Sequence, residues 1–141
     1  MNWEGKKKIK FLNLGTFAVF ALTGLANPAV ADEFSFSFEW GDIPNCTDGF
    51  PNSVPNPIFT LSGVPKGTKK IVFAMTDLDV PQFDHGGGSA AYNGDNTIQP
   101  GAFEYDSPCP PDGTHTYEWE ATAKDSNNDT VGKASAEKSY P

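Results

Sequence analysis

Phe34, Phe36, Phe38 and Trp40 alternate with Ser35, Ser37 and Glu39. A two-residue period puts every aromatic on one side of an extended chain, which is the pattern of a strand with one apolar face. The alternation returns between Thr114 and Ala123, where Tyr117, Trp119, Ala121 and Ala123 share a face. Ile58 to Val64 reads as a short strand, and Pro65-Lys66-Gly67-Thr68 as a turn. Ile71 to Met75 is a continuous apolar run, as expected of a central strand buried on both faces. Residues 41–57 are rich in Pro, Asn, Asp and Gly and read as an irregular loop, and 82–101, with Gly86-Gly87-Gly88 and Asn93-Gly94, as the least regular part. Ala102 to Tyr105 reads as a brief strand. Pro108, Pro110 and Pro111 then interrupt any ladder. Asp125 to Asp129 forms a turn, and the tail beyond it can supply one more strand. No segment keeps helical periodicity with caps. Short strands joined by turns argue for an all-β sandwich with little helix.

The N-terminus has a different character. Lys6, Lys7, Lys8 and Lys10 precede an apolar stretch from Phe11 to Ala26, and Ala29-Val30-Ala31 follows. A basic segment, a short apolar segment and an A-x-A triplet in that order predict a cleavable signal peptide over residues 1–31. As a membrane anchor, the stretch is short and interrupted by Asn13, Gly15, Thr16, Thr23 and Gly24. The expected working molecule is one domain, residues 32–141, secreted or periplasmic, without stable membrane insertion. It keeps six lysines against seventeen acids, a net charge of −11, and the chain has no arginine. Nucleic-acid binding depends on Lys and Arg displacing counterions from phosphates, so nucleic acid is excluded as a partner. An anionic membrane surface would repel such a domain.

Cys46 and Cys109 both fall within the domain. In an exported protein they are most simply one disulfide, and otherwise two separate buried thiols. They form neither a C-x-x-C redox motif nor a zinc-binding spacing.

The chain contains two histidines, His85 and His115, each beside turn or loop residues. Asp77 and Asp79 stand at the end of the most apolar strand; taken alone, two acids there are more often solvated turn residues. The Gly86–Gly88 run lacks the Lys-Ser/Thr and the helix of a phosphate-binding loop. Ser62 has no neighbouring base, and no G-x-S-x-G motif occurs.

Two ordered segments are more specific in combination. Ser62-Gly63-Val64-Pro65-Lys66-Gly67-Thr68, an apolar strand and Asp77-Leu78-Asp79-Val80-Pro81 resemble the phosphatidylethanolamine-binding protein (PEBP) family, which includes the Raf-kinase-inhibitor-like proteins and a bacterial YbhB/YbcL branch. The family's pattern is a G-V-P-x-G-T turn, a strand, then D-P-D-A-P. Further on, Ser107-Pro108-Cys109-Pro110-Pro111-Asp112-Gly113-Thr114-His115-Thr116-Tyr117 resembles its G-P-x-P-P-x-G-x-H-R-Y segment. The resemblance covers residues 58 to 125. It implies a β-sandwich with Greek-key character and a small anion pocket at one end. By this resemblance Asp77, His115 and Tyr117 are pocket residues, His85 is the candidate for the family's other pocket histidine, and Pro108 or Pro110 lines the rim. Leu78 stands where the family has a proline and Thr116 where it has arginine, and the chain ends at Pro141, short of the C-terminal portion of typical members.

Two imidazoles and a phenol can offer N–H and O–H donors to an oxyanion. A carboxylate such as Asp77 can fix the tautomer of one imidazole and raise its basicity. The leading expectation is therefore an exported binding protein for a small anion or phospholipid headgroup, needing no cofactor or metal and not an enzyme. A second class is a protease inhibitor or other extracellular interaction module. A third, metal-assisted hydrolysis by Asp77, His85 and His115, lacks an accompanying nucleophile or metal-ligand spacing.

Overall fold

The computed structural model describes residues 32–141; the expected signal segment lies outside them. The strands are β1 (Ser35–Glu39), β2 (Ser53–Pro55), β3 (Ile58–Ser62), β4 (Lys70–Asp77), β5 (Asp84–Ala91), β6 (Thr97–Ile98), β7 (Glu104–Asp106), β8 (His115–Lys124) and β9 (Thr130–Tyr140). No helix occurs among the described residues, so none there could cross a membrane. Every ladder is antiparallel. One sheet has the order β5-β4-β8-β9, a second β1-β3-β6, and β2 and β7 form a short ribbon. β4 and β8 are neighbours although they are far apart in sequence, so the chain leaves the large sheet after β5 and returns to it at β8.

Alternation builds the core. The aromatics of β1 face inward, with Phe36 and Phe38 buried, while Ser35, Ser37 and Glu39 are exposed. Tyr117, Trp119, Ala121 and Ala123 of β8 are completely buried. Phe73 of β4 lies opposite Ala121 of β8, so a large side chain is matched by a small one across the ladder. The two sheets meet where Phe59 of β3 stacks on Phe73 with ring centroids 4.1 Å apart, and the Trp119 ring meets Phe59 edge-on at 5.4 Å. Such aromatic pairs add about 1 kcal/mol each beyond the area they bury.

Two expectations are corrected. The run from Ile71 to Met75 is packed on one face only: Ile71, Phe73 and Met75 are buried, whereas Ala74 is exposed and Val72 half-buried. No layer of the described chain covers the outer face of the large sheet there, so an apolar run does not require two-sided burial.

The second correction concerns 82–101, which contains a full strand, β5. Its glycines are ladder residues: Gly87 and Gly88 pair with Ala74 and Phe73 of β4. A Cβ on Gly88 would collide with the Phe103 ring, and that ring stacks with both Phe59 and Phe73, at 6.0 Å from the latter. Gly87, at φ +154°, leaves no room for a Cβ beside the Phe73 carbonyl. The glycine run is thus a strand without side chains that makes room for an aromatic lid. Smaller differences occur at β7, which begins at Glu104 instead of Ala102, and in the 41–57 loop, which includes β2.

Candidate functional site

Asp77 ends β4, His115 opens β8 just before Tyr117, and His85 lies near the start of β5. Adjacent strands therefore deliver these side chains to one end of the sandwich. Tyr117 pairs with Asp77 across the ladder, so both point to the inner face. The four groups line a single cavity of about 190 Å3. That is below the ~300–1,000 Å3 of pockets for drug-sized ligands, so it suits only a small molecule.

Asp77 is the anchor. Its Oδ1 accepts the N–H groups of Asp79 (2.9 Å) and Val80 (3.1 Å), which curls the Asp77-Leu78-Asp79-Val80 segment around it. Its Oδ2 lies 2.7 Å from Nδ1 of His115. Burial opposes ionisation of Asp77, but the hydrogen bond from His115 and the two backbone donors outweigh it and hold the carboxyl below its ordinary range. Asp79 serves the backbone instead, since its Oδ2 accepts the N–H of Thr116 at 2.7 Å and clamps the start of β8. Leu78 donates its N–H to the Thr116 carbonyl at 2.8 Å, a bond that a proline at that position could not make.

The other nitrogen of His115, Nε2, stands 2.9 Å from Oδ1 of Asp112. A ring with a carboxylate at each nitrogen is satisfied only when both nitrogens carry hydrogen, that is, as imidazolium. The bond to Asp77 raises the His115 pKa most; burial opposes it, and Asp112 adds to the rise. The Tyr117 phenol is pushed well above its ordinary range by burial and by the charge of Asp77, so it remains a protonated donor. His85 is buried, and its Nδ1 lies 2.9 Å from the carbonyl oxygen of Asp106. A carbonyl only accepts, so Nδ1 bears the hydrogen; Nε2 is an acceptor in the neutral ring and a donor only when protonated. The His85 ring meets Tyr117 edge-on at 5.4 Å and packs on Phe83 at 4.5 Å.

The remaining wall is apolar and comes from Val80, Phe83, Pro51 and the Cys109-Pro110-Pro111 segment. Cys46 and Cys109 form a disulfide, which ties this segment to the 41–57 loop. Pro110 lines the cavity as the resemblance implies; Pro108, equally buried, is not among its lining residues. Ser107 exchanges two bonds with Asn52, and the residue after it is directed into the interior. The third group whose ligating atom lies within 4.8 Å of those of Asp77 and His115 is Asp79, so this trio excludes His85. The oxygens of Asp77 and Asp79 in that trio are already engaged by His115 and Thr116. Sequence reasoning missed Asp112, Phe83 and the Asp106 carbonyl. For Asp112 the available signal was an acid shortly before a histidine in a turn.

No protein-family model matches the sequence, and no curated protein does. Solved structures do. A crystal structure of a putative PEBP homologue from Chlamydia trachomatis superposes with a TM-score of 0.56 at 19% identity, covering 77% of this chain and 97% of that one. Escherichia coli YbcL, described as a member of the mammalian PEBP family, superposes with a TM-score of 0.55 at 17% identity, covering 77% of this chain and 98% of that one. The chain has the PEBP fold. At these identities the likeness is one of architecture, and the chemistry of this PEBP-fold protein has to be argued from its own residues.

Proposed function

We propose that this protein is an exported binding protein whose terminal cavity takes a small oxyanion of the phosphate or phospholipid-headgroup type. The observation that carries the reading is His115, a nearly buried ring whose Nε2 already meets an oxyanion, the Asp112 carboxylate, at 2.9 Å. Asp77 holds the ring from behind and keeps it charged, so Nε2–H is a fixed cationic donor on a ring that lines a small, mostly apolar cavity. The Tyr117 phenol supplies a second donor, and His85 a third when it is protonated. Export is supported by the signal-like residues 1–31 and by the disulfide, which suits an oxidising compartment. The working domain is then residues 32–141. Titration with inorganic phosphate or phosphorylethanolamine, followed by NMR of the two histidines, tests the reading. The His115 resonances should move with the ligand; if neither ring responds, no anion pocket exists.

One observation favours a second reading, an extracellular interaction module or protease inhibitor. Phe50 is 80% exposed in the 41–57 loop, which the Cys46–Cys109 disulfide ties to the cavity wall. A lone aromatic presented on a tethered loop suits insertion into a partner's pocket. Assay against a protease panel separates this reading from the first, because Phe50→Ala should abolish inhibition while leaving phosphate titration unchanged.

A further inference from the structure

The donor that makes His115 useful is occupied from within the chain. Asp112 Oδ1 sits 2.9 Å from Nε2, yet the Asp112 side chain is 78% exposed while the His115 side chain is 9% exposed. The two ends of the imidazole are therefore unequal. Asp77 cannot leave Nδ1 easily, because it is buried and held by the N–H groups of Asp79 and Val80. The Asp112 carboxylate accepts no other hydrogen bond among the described residues. It belongs to the exposed turn Pro111-Asp112-Gly113-Thr114 and can swing into water by rotating its own side chain. The ring is fixed in orientation by Asp77, so its Nε2–H always points to the place where the Asp112 carboxylate rests.

We infer that Asp112 is an internal competitor for the anion site: its carboxylate occupies the His115 Nε2 donor in the free protein, and a bound oxyanion replaces it. This rests on the oxyanion reading proposed above and adds to it a built-in selectivity. A ligand gains only the difference between its own bond to the imidazolium and the one Asp112 gives up. Weak acceptors gain little from that exchange. A doubly charged phosphate or phosphate monoester gains most, because it offers more charge than a single carboxylate at the same donor.

The test compares inorganic phosphate binding by the wild-type protein, Asp112→Ala and Asp95→Ala at the same ionic strength, read from the His115 NMR shifts. Asp95 is exposed, does not line this cavity, and removes the same unit of charge. An exchanged surface-accessible ion pair predicts that Asp112→Ala binds phosphate about fivefold more tightly than wild type, with Asp95→Ala unchanged. Binding by Asp112→Ala with none by wild type overturns both readings of the native protein, because no oxyanion then displaces the carboxylate. Equal or weaker binding by Asp112→Ala, or an equal gain in Asp95→Ala, overturns the competitor role while leaving the anion pocket standing. A silent His115 in all three proteins overturns both. Asp112→Glu supplies a second check, since a longer carboxylate that still reaches Nε2 should restore wild-type affinity.

Discussion

Nδ1 of His115 stands 2.7 Å from Oδ2 of Asp77, joining the first residue of β8 to the last residue of β4. Their ladder partners differ: Asp77 faces Tyr117 and His115 faces Tyr140. The bond is therefore a diagonal link at the end of the central pair of strands. It fixes the cavity floor and the charge state of the ring together.

The pair makes stability depend on pH in a defined direction. His115 has a raised pKa, so its contribution is full below the unfolded value of 6.5 and is lost as pH climbs through the higher folded value. Asp77 has a lowered pKa, so its contribution is full above the unfolded value of 3.8 and is lost as pH falls through the lower folded value. Both contributions are present together between those two unfolded values. His115→Asn should cost about 2 kcal/mol in urea unfolding near pH 5, the scale of a buried hydrogen bond to a charged group. The gap to wild type should narrow as pH climbs through the raised His115 pKa, where the wild-type ring loses its proton. A gap that stays constant over that range would assign the loss to packing alone.

Anion binding should follow the same ring. Sulfate is the useful probe, because its charge does not change across the histidine range. Its affinity should be highest where His115 is imidazolium and should fall with a midpoint above 6.5, since Asp77 and Asp112 both raise that pKa. Isothermal titration at several pH values checks this. His115→Asn should reduce sulfate binding at least about tenfold, the worth of one charge-assisted hydrogen bond. A midpoint at or below the ordinary histidine value would mean that the ring is not held by its acids.

Much of this was legible from residues 34–40 and 114–123, because a two-residue period with aromatics on one side survives almost any context. The approach of Asp77, His115 and Tyr117 followed from two motifs rather than from periodicity. β5 was not legible: glycine contributes nothing to a hydropathy pattern, and what makes Gly88 necessary is Phe103, which lies in a different segment of the sequence. The choice between Pro108 and Pro110 was equally hidden, since no period operates in a proline-rich loop and both rings are fully buried, so only the closed fold shows which of them borders the cavity. Asp112 escaped because its contact with His115 exists only once the turn between them is closed.

The glycine strand yields its own expectation. Gly88→Ala places a methyl group against the Phe103 ring, which is stacked with Phe59 and Phe73 and has little freedom to retreat. Overpacking of this kind costs about 2 kcal/mol, more than the entropy gained by replacing a flexible glycine. Denaturant unfolding should show a lower midpoint for Gly88→Ala, and Gly88→Ala combined with Phe103→Leu should recover part of it. An unchanged midpoint in the single variant would mean that the aromatic lid shifts freely.

The disulfide links stability to the cavity. Cys109 lines the cavity, while Cys46 sits in the 41–57 loop and donates its N–H to the Tyr140 hydroxyl at 3.1 Å. The bridge closes a loop with a sequence separation of 63, so restricting the unfolded chain should be worth about 4 kcal/mol in the chain-entropy description. Replacing both cysteines with serine should therefore lower unfolding stability by that order. It should also weaken sulfate binding, because Pro110 and Pro111 are held as a wall by the segment that Cys109 anchors. The two effects are separable: at a temperature where the double variant remains folded, the stability loss is irrelevant and any fall in affinity reports the loosened wall. A folded double variant with wild-type affinity would show that the Ser107–Asn52 bonds and the packing of Pro108 hold the wall without the bridge.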